Sequence, residues 1–216
     1  MRAPRFSLLL LALAACAPAT GGQAQSTNAQ MERELKRSGL AREALAGQRV
    51  AVLPLTHIVR DSALTDTLVH LPRATVLTWA DSLLAESLAE RAAEVEWVFP
   101  EELRKSARKA AGMIPEPDRM GQAVLRSPQL KSVPDPLRGN LRTLMGIVGG
   151  RYAFIPASVR FAPDSGAIQA TIEAVLADTR TGQVGWRSSN AVGRGATPAA
   201  ALVAAVASFL PDIERP

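Results

Sequence analysis

The segment Ile168-Gln169-Ala170-Thr171-Ile172-Glu173-Ala174-Val175-Leu176 places an apolar residue at every second position. This period of two is typical of a β-strand with one buried face. Turn-forming sequences flank the segment, with Asp164-Ser165-Gly166 before it and Arg180-Thr181-Gly182 after it. The pattern therefore predicts a meander of three strands, at 152–161, 168–176 and 184–192.

The amino-terminal half of the chain predicts two strand and helix pairs. Arg49-Val50-Ala51-Val52-Leu53-Pro54-Leu55 is apolar and β-branched, which predicts an inner strand that ends near the proline. Apolar residues at helical spacing predict a helix over 75–93, and a short strand follows at 95–99. Pro100, with acidic residues after it and basic residues at the far end, predicts a second helix over 100–111.

A proline-rich insert at 112–136 separates the two halves, and it predicts irregular structure with a short helix over 118–125. Its prolines are Pro115, Pro117, Pro128, Pro134 and Pro136. Asp135 and Pro136 predict the cap and first residue of a helix that Gly149-Gly150 ends. Thr197 and Pro198 predict the same kind of start for the last helix, which extends to 210.

These elements follow the order βαβα, an irregular helical insert, then βββα. The order predicts an α/β (α+β) fold over 48–216, as a single domain with a mixed sheet of about five strands and helices packed against one face. The composition agrees with a compact fold, since 47% of the 216 residues are hydrophobic and 21% are charged. These fractions exclude a disordered acidic chain and a collagen.

The first sixteen residues predict an exported lipoprotein. Arg2 and Arg5 precede an apolar run at 6–15 that is too short to span a bilayer, which needs about 20 residues, so residues 1–15 are typical of a signal peptide. Leu13-Ala14-Ala15-Cys16 resembles the lipobox of bacterial lipoproteins and makes Cys16 the predicted lipidation site. The alternative is an ordinary signal peptide in which Cys16, the only cysteine, is incidental. Ala17 in place of Asp favours the outer membrane, with the protein facing the periplasm.

Residues 16–47 are predicted to form the lipidated cysteine, a flexible tether without a periodic apolar pattern, and a short helix within 31–46. The chain is mildly basic, with a formal net charge of +5. This charge does not favour a nucleic-acid partner, which needs a concentrated basic face. The expected partners are the membrane, through the lipid anchor, and another envelope protein or a peptidoglycan-associated component.

Three segments resemble one superfamily of exported α/β domains: Val50-Ala51-Val52-Leu53-Pro54-Leu55, Gly150-Arg151-Tyr152 and residues 177–186. That superfamily includes the TolB amino-terminal domain, the curli secretion lipoprotein CsgG and the peptidoglycan-synthase activator LpoB. The most recognisable piece is an Asp-x-x-Thr-Gly-x-Val-x-Trp turn at 178–186. The resemblance covers 48–210, although the insert departs from the simplest family pattern, and it implies a binding or assembly module rather than an enzyme.

Catalytic and metal-binding motifs are not apparent in the sequence. The chain has two histidines, His57 and His70, in no arrangement typical of a transition-metal site, so we expect no metal and no cofactor. Gly-x-Ser-x-Gly and phosphate-loop motifs are missing. Asp61 and Asp66 near His57 have two interpretations, a fragment of a catalytic triad or a solvated loop.

Four residues are candidates for partner binding. Arg119, Arg126 and Lys131 lie in the insert, and loops held on a rigid scaffold commonly carry recognition. Trp186 has two interpretations, a ligand platform or a core residue. The sequence therefore predicts a noncatalytic, membrane-anchored lipoprotein that binds an envelope component. The alternative is an exported hydrolase with an active site near His57.

Overall fold

The computed structural model describes residues 39–211 except 41, 65, 189 and 190. The predicted signal peptide, Cys16 and most of the predicted tether lie outside the described residues. None of the helices in the described part has the length and hydrophobicity that a membrane crossing requires.

The described residues contain seven strands, five α-helices and three 3-10 helices. The strands are β1 (Arg49–Val52), β2 (Ile58–Arg60), β3 (Glu96–Val98), β4 (Tyr152–Asp164), β5 (Ala167–Asp178), β6 (Val184–Arg187) and β7 (Ala191–Gly195). The α-helices are α1 (Arg42–Leu45), α2 (Arg73–Arg91), α3 (Pro100–Lys109), α4 (Leu137–Val148) and α5 (Pro198–Phe209). The 3-10 helices are Thr67–His70, Pro117–Arg119 and Gln122–Arg126.

The long antiparallel hairpin of β4 and β5 forms the middle of one mixed sheet. On the outer side of β4, β1 and β2 pair with it in parallel one after the other, β1 near Tyr152 and β2 near Val159. On the outer side of β5, β6 pairs near Leu176 and β7 near Ile172. Strand β3 pairs in parallel with β1. The sheet is thus five strands wide, which confirms the predicted fold class.

Two strand boundaries differ from the prediction. The expected strand at 184–192 is divided into β6 and β7, and at Ser188 the side chain, as well as the backbone N–H, bonds the edge of β5. Its Oγ accepts from Ala174 N at 2.8 Å and donates to Ile172 O at 3.0 Å. The sequence also gave no sign of β2, which is only three residues long.

Helices cover both faces of the sheet, so the expectation that they pack against one face is wrong. Helices α2 and α5 pack on the face that holds Val52 and Phe154. Helices α3 and α4 and the insert pack on the other face, against Leu53 and Ile155. Burial on both faces explains why the β1 sequence is continuously apolar instead of alternating.

The helix starts show which capping signals the structure uses. Thr197 caps α5, since its side chain accepts from Ala200 N, as predicted. Helix α4 begins at Leu137, one residue later than predicted, and no side chain caps it, so Asp135 does not act as the expected cap. The helix expected at 118–125 is two 3-10 helices, separated at Gly121 with a φ of 80°.

Close packing of α5 depends on a glycine in β7. A Cβ atom on Gly193 would lie 2.0 Å from the backbone nitrogen of Ala205. No side chain fits at that separation, so a glycine there lets the alanine-rich helix approach the sheet backbone directly. Gly193 therefore forms part of the surface on which α5 packs.

A β-bulge in β4 changes which side chains face each way. Ile155 pairs with Val175, but beyond Pro156 the register shifts and Ser158 pairs with Glu173. Alternate residues of β5 share one face, so Ser158 and Arg160 lie on the same side of the sheet as Ile155. The bulge thus extends the insert-covered face into a polar surface.

Replacing Ile172 with Asp should prevent folding, because Ile172 is 1% exposed in β5 and an unpaired buried carboxylate costs several kcal/mol. Its exposed neighbour Glu173, replaced by Gln, keeps an acceptor for Ser158 and should leave thermal unfolding nearly unchanged. Circular dichroism melting curves of the two variants test whether Ile172 lies on the buried face of β5 and Glu173 on the exposed face. Equal melting temperatures would show that the β5 register is wrong.

Candidate functional site

A polar cleft of about 390 Å³ lies where the insert stops covering the sheet. Its polar lining comes from three places: the chain just before β2, the end of the last 3-10 helix, and the β4–β5 hairpin beyond the bulge. These side chains are His57, Arg126, Ser158, Arg160, Thr171 and Glu173, with Val59 beside them.

Two side-chain pairs organise this cleft. Ser158 Oγ donates to Glu173 Oε2 at 2.7 Å, and Arg126 Nη1 lies 2.8 Å from His57 Nε2. A guanidinium has no acceptor atom, so Nε2 of His57 accepts the hydrogen bond and its ring proton is on Nδ1. Burial first, and then the positive charges of Arg126 and Arg73, lower the pKa of His57 below its usual value. The ring is therefore neutral at neutral pH.

The insert that carries Arg126 is fixed to the sheet by buried polar contacts. Arg187, on β6, donates to the carbonyl oxygens of Leu125 and Leu130. Gln122 is fully buried, and its Nε2 donates to Pro54 O at 3.1 Å and to Pro117 O at 2.8 Å. Carbonyl groups that a loop would otherwise leave unpaired are thus satisfied by side chains. The insert has little regular secondary structure, but these hydrogen bonds fix its position on the sheet.

Backbone bonds hold the end of the insert against the turn before β6. Val133 N donates to Gly182 O at 2.7 Å, and Val184 N donates to Lys131 O at 2.9 Å. These bonds place the proline-rich segment beside the Asp-x-x-Thr-Gly turn that was quoted for the superfamily resemblance. The turn therefore has a structural role in this chain, which is to support the insert.

A charged cluster ties the beginning of the insert to the helices. Arg104 on α3 bonds Asp118 at 2.7 Å and Asp81 at 2.9 Å. Asp81 is buried on α2 and also accepts from Leu55 N at 2.7 Å. Burial raises the pKa of the Asp81 carboxyl, while the bonds from Leu55 and Arg104 act in the opposite direction. The cluster connects two helices, the end of β1 and the first turn of the insert.

The predicted site residues lie in different surroundings. Arg126 lines the cleft, whereas Arg119 is exposed with Glu116 at 3.9 Å, and Lys131 is exposed on the later part of the insert. Trp186 is 6% exposed and its ring lies 5.4 Å from that of Phe209, which is the core role that was weighed against a ligand platform. Cys16 lies outside the described residues.

The carboxylates that were considered as triad partners of His57 stabilise local turns. Asp61 accepts from Ala63 N at 2.9 Å, and Asp66 accepts from Leu68 N at 2.8 Å. In a serine relay the serine donates to the histidine. Here Ser158 donates to Glu173, and Nε2 of His57 is occupied by Arg126. Both pairings differ from those of a nucleophile and its base.

Sequence reasoning missed four residues of the cleft: Ser158, Arg160, Thr171 and Glu173. The strands that carry these residues were predicted, but the face of the sheet on which their side chains lie was not. Pro156 inside a strand was the available signal, since proline within a sheet is found at edges and bulges. A bulge at that position would have moved Ser158 and Arg160 onto the insert side.

No protein-family model and no curated protein sequence matches the chain. Among solved structures, the chain is similar to E. coli LpoB, at 17% identity and a TM-score of 0.42, over 90% of this chain and 81% of that one. It is similar to the LpoB C-terminal domain from Salmonella enterica, at 13% identity and a TM-score of 0.40, over 78% of this chain and 94% of that one. Lipoprotein GNA1162 from Neisseria meningitidis matches at 16% identity and a TM-score of 0.38, over 68% and 83% of the two chains.

These are similarities of fold. LpoB belongs to the superfamily whose resemblance the sequence suggested, and the resemblance to TolB and CsgG stays a prediction.

Replacing Arg126 with Gln should raise the pKa of His57, because the variant removes an adjacent positive charge that favours the neutral ring. Burial persists in the variant, so the value should stay below the usual range for histidine. Proton NMR titration measures the change, and a His70→Gln variant assigns the two histidines. Arg119→Gln is the matched control outside the cleft; an equal rise in that control would contradict the contact between Arg126 and His57.

Proposed function

We propose that this protein is a noncatalytic lipoprotein of the bacterial cell envelope. In this proposal Cys16 carries the lipid anchor in the outer membrane, and the folded part binds another envelope component on its periplasmic side. The observation that supports the binding role most directly is the presentation of Arg126. This side chain faces a polar cleft from a fixed insert, and no carboxylate of a described residue neutralises it.

Rigid presentation favours binding because ordering a loop during association costs free energy. Immobilising one flexible side chain at an interface costs about 0.5–1.5 kcal/mol, and ordering a loop adds to this. The bonds from Arg187 and Gln122 have already ordered the insert in the free protein. A partner that contacts Arg126 therefore meets a preorganised surface.

The position of the cleft in the sheet also supports the proposal. The described chain enters at Leu40, whose N–H donates to Phe209 O at 2.7 Å, at the end of the sheet where β1 begins. Strand β4 starts at this end, with Tyr152 opposite Val50, and reaches Arg160 eight residues later. At ~3.3 Å per residue, Arg160 lies about 26 Å along β4 from Tyr152. A lipid anchor on the chain before Leu40 would therefore be joined to the folded part at the end opposite the cleft.

The contacts in the cleft favour binding over hydrolysis. The serine hydroxyl is bonded to a carboxylate and the histidine to an arginine, so neither is paired as a serine relay requires. The same groups are well suited to recognition, since they offer both charges and several hydrogen-bonding atoms within one small cleft.

Replacing Cys16 with Ser should abolish lipidation and release the protein from membranes, because acyl chains supply the anchoring free energy, about 0.8 kcal/mol per buried methylene. Metabolic labelling with a fatty-acid analogue and membrane pelleting measure the two effects. A Ser7→Ala variant within the apolar segment is the control and should still be labelled. If the Cys16→Ser variant is labelled and pellets, the anchor is elsewhere.

Replacing Arg126 and Lys131 together with Ala should reduce the recovery of crosslinked envelope partners about tenfold, the loss expected when charge-assisted hydrogen bonds are removed. The matched control removes the same charge from α3, as Arg108→Ala with Lys109→Ala. Crosslinking in intact cells, followed by affinity capture, measures recovery, and circular dichroism confirms that both variants fold. Equal recovery from the two variants would contradict the proposed binding surface.

A further inference from the structure

The cleft holds uncommitted groups of both charges. Arg160 makes no ion pair with a described residue, and Arg126 uses Nε for Ala123 O and Nη1 for His57, which leaves its Nη2 amino group without a described partner. Glu173 accepts from Ser158 on Oε2, and its Oε1 accepts no hydrogen bond from a described residue. Charged groups without a partner among the described residues are available to bind a ligand.

We infer that this cleft binds an amino-acid head group, a carbon atom that carries both a carboxylate and an ammonium group. The inference rests on the proposed function in taking the cleft as a binding surface and in placing the protein in the bacterial envelope. The guanidinium groups of Arg126 and Arg160 receive the carboxylate, and Glu173 receives the ammonium. Arginine is well suited to the first task because its planar fork matches the two oxygens of a carboxylate.

The charge of the cleft selects against ligands with one sign of charge. His57 is neutral, so the side chains contribute two positive charges and one negative charge. A simple amine would be repelled by the two guanidinium groups, whereas an anion without an ammonium group would leave Glu173 without an opposite charge. A zwitterion satisfies both kinds of group at once.

The strand geometry places these groups at a suitable separation. Glu173 and Thr171 are two residues apart on β5, and Thr171 pairs with Arg160 across the hairpin. Neighbouring positions on one face of a strand are ~7 Å apart. Glu173 and Arg160 are therefore diagonal neighbours on one face of the hairpin, with backbone positions ~7–8 Å apart, so that both side chains reach the same cleft. Thr171 provides a hydroxyl between them.

The size of the cleft limits the ligand to a small group or the end of a chain. A volume of about 390 Å³ is near the lower limit for small-molecule sites, which begin at about 300 Å³. An amino-acid head group on a short aliphatic stem fits this size. In the bacterial envelope such a group occurs at the end of the diaminopimelate side chain of uncrosslinked cell-wall peptides, which is the source to which this inference commits.

Three compounds with closely related carbon chains test the inference on the full-length protein purified in detergent. They are 2,6-diaminopimelate, which has two head groups, pimelate, which has only the carboxylates, and 1,5-diaminopentane, which has only the amines. Saturation-transfer NMR titrations should show 2,6-diaminopimelate binding at least about tenfold more tightly than the other two, since each loses one charge-assisted contact.

Variants then assign the two halves of the head group. Glu173→Gln should remove the discrimination between 2,6-diaminopimelate and pimelate, while Arg160→Gln should weaken both about tenfold. Glu101→Gln removes an exposed carboxylate from α3 and should change neither affinity. Pimelate binding as tightly as 2,6-diaminopimelate, tighter binding of inorganic phosphate, or an unchanged preference in Glu173→Gln would each overturn the inference.

The titrations test the head-group inference, and the crosslinking experiment tests the proposed function separately. No binding of 2,6-diaminopimelate, with crosslinked partners still lost in the Arg126 and Lys131 variant, would overturn the head-group inference and leave the proposed function in place. Binding of the compound with unchanged crosslinking would support the head-group site and contradict recognition of a partner protein through the insert.

Discussion

The ladder between β4 and β5 is the interaction on which the rest of the structure depends. These two strands pair along their whole length, from Tyr152 opposite Asp178 to Asp164 opposite Ala167. Every other strand except β3 attaches to one of them, and each outer edge is shared by two short strands. The hairpin thus continues past β1 and β6, where the insert no longer covers it. The half of the hairpin beyond β1 and β6 supports the cleft.

Polar side chains decide how the insert is held on this hairpin. A segment with five prolines forms little regular structure, so its carbonyl groups need other partners. Arg187 on β6 and Arg104 on α3 bond the insert from outside. Gln122 bonds Pro117 within the insert and Pro54 beyond it. Apolar packing of Leu125 and Val133 against the sheet completes the attachment. The insert is therefore both the irregular part of the fold and a well-anchored one.

Much of the fold could be predicted from the sequence, because its signals are local. Alternation in β5, proline at the start of α3 and the Thr197 cap of α5 each act within a few residues. The division of the last strand at Ser188 and the covering of both sheet faces could not, since they depend on contacts between distant segments. The cleft shows the same limit. Arg126 was a candidate from its position in the insert, but its neighbours became visible only after the bulge set the side of the sheet on which Ser158 and Arg160 lie.

The contact between the entry and exit of the described chain has a mechanical consequence. Leu40 is bonded to Phe209, and Arg42 donates to the carbonyl groups of Pro211 and Arg91. A force pulling on the chain before Leu40 would first load this group of hydrogen bonds, which joins α1 to the ends of α2 and α5. Tension would be shared among three helices before it reached β1 in the interior of the sheet. The cleft, at the other end of β4, would keep its shape while the chain before Leu40 was under tension.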